Sequence, residues 1–561
     1  VVLSLIFSLA TLPAMAAPVD PEPVRTLIEH FVADEQTLTH RYDQAYLEGD
    51  IERRLELYAD TLKSLQAVPF DRLDRGGQVD YLLLKGRLAE RRHSEEIELG
   101  RLKTLDSLVP FRKEALAIEV ARRDLTPLAY DKVAAQLTAL TAQVAKARGV
   151  LGKVGVDEGL RAARVVQSVS RALGTWYRFY YGYDPQFTFW MPGPYRGLSD
   201  ELDAYASALR RAAGGEGGPD QIVGVPAGGE QLMSDLAEAS IDYSPEELLQ
   251  IADKEYAWCL KEMKEASRDL GFGDDWKKAL EKVKDDHVPV GEQPALVRKL
   301  ALEAVEYVRK HDLVTVPELN AEAWTLQMMS PQTQLQTPFF FFSQGFDGIA
   351  VAYPTLDMDL PSREMAVRGN NIHFSRATVF HELIPGHWLQ FYSSERNHPY
   401  RQTFETPFWH EGNSLYWEMN LYDRHFYRDA MDRIGMLFWR MHRCARITFS
   451  LKFQLGEWTP RQCVEYLVDK VGHELKNAEG EVRRTVSGGY SPLYQCAYMI
   501  GGLEFRALRH ELVDSHKMSE RAFNDAVLAE GAMPIELLRA LLEPNVKLTP
   551  DFKASWRFYP L

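Results

Sequence analysis

Apolar residues recur at helical spacing along most of this chain. Val24, Leu27, Ile28 and Phe31 fall at i, i+3, i+4 and i+7, one face of an amphipathic helix. Similar patterns continue through about residue 210, and alternating strand-like runs are few. Later helix starts are well marked. Ser244-Pro245-Glu246-Glu247 offers an N-cap, a proline for the first turn and a capping-box glutamate; Thr459-Pro460-Arg461-Gln462 repeats the arrangement with glutamine. The pattern predicts a mainly α fold, large and helical. The exception is Ile349 to Tyr353, which follows the run Phe339 to Phe342 and reads as a short buried strand pair. Glycine and proline crowd Ala212 to Glu230, a segment that resists regular structure. This divides the chain into an N-terminal helical region (18–212), a Gly/Pro-rich connection (213–230) and a C-terminal helical region (231–561).

Composition narrows the class. With 45% hydrophobic and 26% charged residues, the 561-residue chain is an ordinary globular protein. Its net charge of −15 speaks against nucleic acid or an anionic membrane as partner. The apolar, uncharged run Val1 to Leu12, followed by the small residues Ala14 and Ala16, reads as a secretory signal (residues 1–17) cleaved after about Ala16. No other stretch is apolar enough to span a bilayer, so the expectation is an exported, periplasmic or secreted protein without membrane insertion after signal removal. The four cysteines, Cys259, Cys444, Cys463 and Cys496, form no CxxC pair. A disulfide is permitted in an oxidising compartment, and buried free thiols are the equal alternative. The aromatic cluster Trp176 to Trp190 and the phenylalanine run could line a cleft, but packing is the favoured role for both.

The sharpest chemical signal is His381-Glu382-Leu383-Ile384-Pro385-Gly386-His387. In the familiar zinc helix, two histidines four apart share a face and a glutamate beside the first activates water. Here the second histidine comes six positions later. In a regular helix that places it about 120° round and about 9 Å along the axis, too far to share an ion. Pro385 and Gly386 lie inside the interval, where a break would swing His387 back. A third ligand is expected downstream. Glu411 and Glu418 are candidates seven residues apart on one helix face, with Glu411 preferred and Glu418 left open. Glu382 would then be the general base. A histidine–glutamate pair alone is common, and His473-Glu474 is another in this chain.

His381, Glu382, Pro385, Gly386, His387 and Gln390, followed by Glu411, Gly412, Tyr416 and Glu418, resemble the HExxPGHxxQ and EGWxxYxE pattern of the bacterial domain of unknown function 885 family. The likeness runs from about Val24 to the C-terminus. It implies a mostly helical protein similar to zinc metallopeptidases of the HExxH superfamily. Asn413 replaces the family tryptophan and Tyr494 the family glutamine, and Ser450, Lys452 and Gln454 stand where D-x-G-x-H is expected. Arg484 and Tyr498 occupy matched positions and suit stabilisation of an oxyanion. The expectation is a zinc-dependent hydrolase binding one ion through His381, His387 and Glu411, with Glu382, Tyr498 and Arg484 catalytic, cleaving a peptide. The alternatives are an amidase or esterase acting on a small molecule or cell-wall fragment, or an inactive helical scaffold.

Overall fold

The computed structural model describes residues 22–214, 222–334, 339, 341–343, 347–487 and 489–561; the expected signal segment (1–17) and residues 215–221 of the connection lie outside them. Helices dominate, as the periodicity predicts. The helix Pro23–Arg41 buries Val24, Ile28 and Phe31. Both capping boxes form. Ser244 Oγ accepts from Glu247 N at 3.2 Å while Glu247 returns an acceptor to Ser244 N at 2.8 Å, and Thr459 and Gln462 make the same reciprocal pair.

The β element is a three-stranded sheet of β1 (Thr325–Met328), β2 (Phe341–Ser343) and β3 (Gly348–Val351) in the order β1-β3-β2. β3 runs parallel to β1 and antiparallel to β2. Gly348 is required there, because a Cβ would stand 2.0 Å from the Thr325 carbonyl oxygen. The segment from Ile349, read from the sequence as part of a short buried strand pair, forms the central strand β3, and both of its edges are hydrogen bonded within the sheet.

Six helices surround the site and are labelled in chain order: α1 (Ile372–Glu382), α2 (His387–Ser394), α3 (Pro407–Asp423), α4 (Ala430–Gln454), α5 (Leu475–Val486) and α6 (Tyr494–Arg509). Their apolar side chains join those of residues 24–88 and 232–308 in one large core; Leu105 to Leu209 form a second. α1 and α3 are buried nearly all round, which is why their sequences show little amphipathic period. α3 and α6 cross at glycine. A Cβ on Gly412 would meet Gly501 at 2.5 Å, and one on Gly501 would meet the Phe408 carbonyl oxygen at 2.0 Å.

The Trp176–Trp190 cluster divides. Trp176 and Phe187 pack with ring centroids 4.8 Å apart, whereas Tyr183 and Phe189 are 84% and 81% exposed. All four cysteines are buried free thiols. Among the described residues, no helix is long and apolar enough to cross a membrane.

Candidate metal centre

α1 ends at Glu382 and α2 begins at His387, so the Pro-Gly interval interrupts the helix between the two histidines. The Ile384–Pro385 peptide is cis. Gly386 folds back onto α1, its N–H donating to the Phe380 carbonyl at 3.0 Å. A Cβ there would lie 1.9 Å from the His381 carbonyl oxygen, so only glycine fits. The result is a pair of imidazoles with centroids 4.9 Å apart and planes nearly perpendicular.

α3 supplies the carboxylates. Thr406 caps it, accepting from Phe408 N at 3.3 Å, and Pro407 opens its first turn. Glu411 Oε2 lies 3.3 Å from His381 Nε2 and 3.2 Å from His387 Nε2. Glu418, two turns on, reaches the other side of His381, where its Oε1 accepts from Nδ1 at 2.7 Å. Glu418 is thus the group that orients His381, and Glu411 is the carboxylate in front of both rings. His387 is fixed by Gln390, whose Oε1 lies 3.1 Å from Nδ1. The Gln390 amide nitrogen donates to the His410 carbonyl, Asn413 Oδ1 and Ser414 Oγ, which sets the orientation of the amide and makes Nδ1 the donor. Both imidazoles therefore direct Nε2 at one point.

The donor set fits a zinc ion. Tetrahedral zinc with bonds of about 2.0–2.1 Å holds its donors about 3.3 Å apart. The printed separations about Glu411 Oε2 match that spacing, and the carboxylate–histidine pair behind His381 is the usual support of such a ligand. Ligand atoms of His381, Glu382 and His387 also lie within 4.8 Å of one another. The electrostatics favour positive charge here. Burial alone would lower the His381 imidazole, but its bonds to Glu411 and Glu418 outweigh burial and raise it to about 9. Burial alone would raise the Glu411 carboxyl, yet the two histidines hold it well below the carboxylate range.

These residues line a cavity of about 520 Å³. Glu382 is on its wall, as are Tyr498 and Arg484. The Tyr498 ring stacks at 6.1 Å from that of His381. Arg484 lines the cavity with its Nε turned to Glu481 Oε2 at 3.0 Å. Sequence reasoning missed three contributors. Tyr494, read only as a departure from a pattern, donates its hydroxyl to Glu411 Oε1. Arg443 and Arg446 of α4 also line the cavity; their signal was the recurrence of Arg440, Arg443 and Arg446 at every third position. A larger space of about 1170 Å³ adjoins at Glu405, Thr406 and Pro407, which line both.

His373 stands apart. It bonds Asp432 at 2.7 Å and Asp286 at 3.0 Å, and Arg376 and Arg428 also sit on Asp432, so this cluster is an ion-paired network.

No curated protein matches the chain in sequence. Among solved structures it is similar to a protein described as a lipoprotein of unknown function from Shewanella oneidensis, with a TM-score of 0.69 and 17% identity over 92% of this chain and 99% of that one. A second, described as a lipoprotein from Colwellia psychrerythraea, gives 0.57 and 14% over 92% and 97%. At such identities the likeness is one of fold. A sequence-family model matches residues 33–542, and the chain belongs to that family, DUF885, the bacterial proteins of unknown function.

Proposed function

We propose that this protein is a zinc-dependent hydrolase of the metallopeptidase kind. His381, His387 and Glu411 hold one zinc ion per chain, and Glu382 serves as general base. The observation that carries the reading is a single carboxylate oxygen, Glu411 Oε2, at tetrahedral donor spacing from the Nε2 atoms of two imidazoles. The ion, when bound, supplies Lewis acidity toward a carbonyl oxygen. Glu382 takes a proton from the attacking water and passes it to the leaving nitrogen as the carbon–nitrogen bond breaks. Tyr498 and Arg484, on the same cavity wall, donate to the oxyanion. Glu418 and Gln390 hold the two histidines in the tautomer that leaves Nε2 free.

The size of the cavity favours a short peptide or small amide over a folded protein. The apolar leader and the lipoprotein descriptions of the two structural neighbours support an exported, periplasmic or secreted location. Metal analysis of the protein beside His381→Ala and His387→Ala is the first test. About one zinc per chain, lost in both variants, is expected. Glu382→Gln should keep the metal and stop cleavage of a mixed peptide library. Absence of metal under zinc-replete conditions would overturn the reading.

A further inference from the structure

Next to Tyr498 the cavity wall turns cationic. Arg443 and Arg446 of α4 and Arg484 of α5 all face it, and the first two are buried. Two carboxylates answer these three guanidinium groups. Glu481 receives Arg446 Nε and Nη2 at 2.7 and 3.1 Å and lies 3.0 Å from Arg484 Nε. Glu418 lies 3.4 Å from Arg443 Nη2 but is already the acceptor for His381. Positive charge is left over. Arg446 Nη1 and Arg443 Nε are buried with no hydrogen-bond partner among the described residues. A buried guanidinium N–H without an acceptor is costly; Arg112 and Arg440 carry the same feature elsewhere, but Arg443 and Arg446 line a cavity that can admit an acceptor.

Position gives the excess charge a use. The guanidinium carbons of Arg446 and Arg443 lie 4.3 and 4.6 Å from the Tyr498 ring centroid, which is 6.1 Å from that of His381. Those spans keep the arginines within the reach of about two or three extended residues, at about 3.3–3.6 Å each, of the imidazole pair, and all of these groups line the one cavity. We propose that Arg446, flanked by Arg443 and Arg484, receives a carboxylate on the leaving-group side of the scissile bond. The substrate is then a short peptide or amide carrying an anionic group within about two or three residues of the bond cut. Two sources share this chemistry: a free C-terminal carboxylate and an acidic side chain. The substrate assignment rests on the hydrolase reading; the anion site itself does not.

The test uses acetyl-trialanine as free acid and as C-terminal amide, with acetyl-Ala-Ala-Glu amide as the third probe. Cleavage is followed on the zinc-loaded protein, and binding by calorimetry on Glu382→Gln. The free acid should be bound and cleaved about tenfold or more better than its amide, the range of a charge-assisted pair. Recovery with the glutamate amide would identify a side-chain carboxylate, and its failure a terminal one. Arg446→Met should abolish the preference and Arg446→Lys restore part of it. The acid–amide comparison on the unaltered protein needs no variant to fold. Equal binding and cleavage of all three probes would overturn the anion site and leave the hydrolase standing. Preferential binding of the acid with no cleavage of any probe would uphold the anion site and overturn the hydrolase.

Discussion

His381 is gripped from two sides, Glu418 on Nδ1 and Glu411 before Nε2, and each contact has a separate consequence. A carboxylate on Nδ1 fixes the ring's tautomer and makes Nε2 a stronger donor to a cation. Glu418→Gln keeps the shape and removes the charge, so zinc affinity, measured by competition with a chelator, should fall about 10- to 100-fold. Unchanged affinity would remove Glu418 from the site's support. That His381, Glu382, His387 and Glu411 come together was legible in the sequence, because the His-Glu pair, the Pro-Gly interval and the downstream glutamate are residue types that a metal site would need. The division of labour between Glu411 and Glu418 was not. Both lie on one helix face, and only the position of the imidazole between them assigns one to the front and one to the back. Tyr494 was hidden for another reason: it reaches Glu411 from α6, a contact no local spacing records.

At the level of elements, glycine sets how closely the site can be drawn together. Gly412 follows the ligand candidate Glu411 directly, and it is where α3 meets Gly501 of α6. That contact brings Tyr494 and Tyr498 up to the cluster of His381, His387 and Glu411. Gly501→Ala would drive a methyl group to 2.0 Å from the Phe408 carbonyl oxygen, so the helices must part. Overpacking of this kind costs about 1–3 kcal/mol, and urea denaturation should show a loss in that range together with weaker zinc retention. A change below about 0.5 kcal/mol would mean the crossing yields without strain. The helices themselves were readable from caps and periodicity, because those are local signals. The sheet was not. Its strand order depends on pairing between β3 and two segments on either side of it in sequence, and β3 at the centre cannot be told from β3 at an edge by its own residues.

Across the whole molecule, the interior behind the candidate site stores a dependence on pH. His442 and His473 share a hydrogen bond of 2.8 Å in full burial, facing Glu481, Lys284, Arg443, Arg446 and Arg484. Burial, with the arginines adding to it, holds His442 well below its ordinary range. His473 is lowered to about 3, mainly by burial, against the opposing pull of Glu481. Both histidines stay neutral in the fold, while in the unfolded chain they take up protons below about pH 6.5. The unfolded state then binds more protons, so stability falls as pH falls, from about 6.5 down to the folded value of about 3 for His473. Each such histidine contributes a loss of about 1.4 kcal/mol per pH unit once the pH is well below 6.5, or about 2 kcal/mol between pH 7 and 5. His473→Gln removes one of the two titrating groups. Urea denaturation in the presence of chelator, which keeps metal loss out of the comparison, should show the variant losing about 2 kcal/mol less than the parent over that interval. Carboxylates and the remaining histidines titrate in both proteins and cancel in the difference. Parallel pH slopes would mean that His473 accepts a proton within the fold, and that the guanidinium groups around it repel a charge less than their number implies.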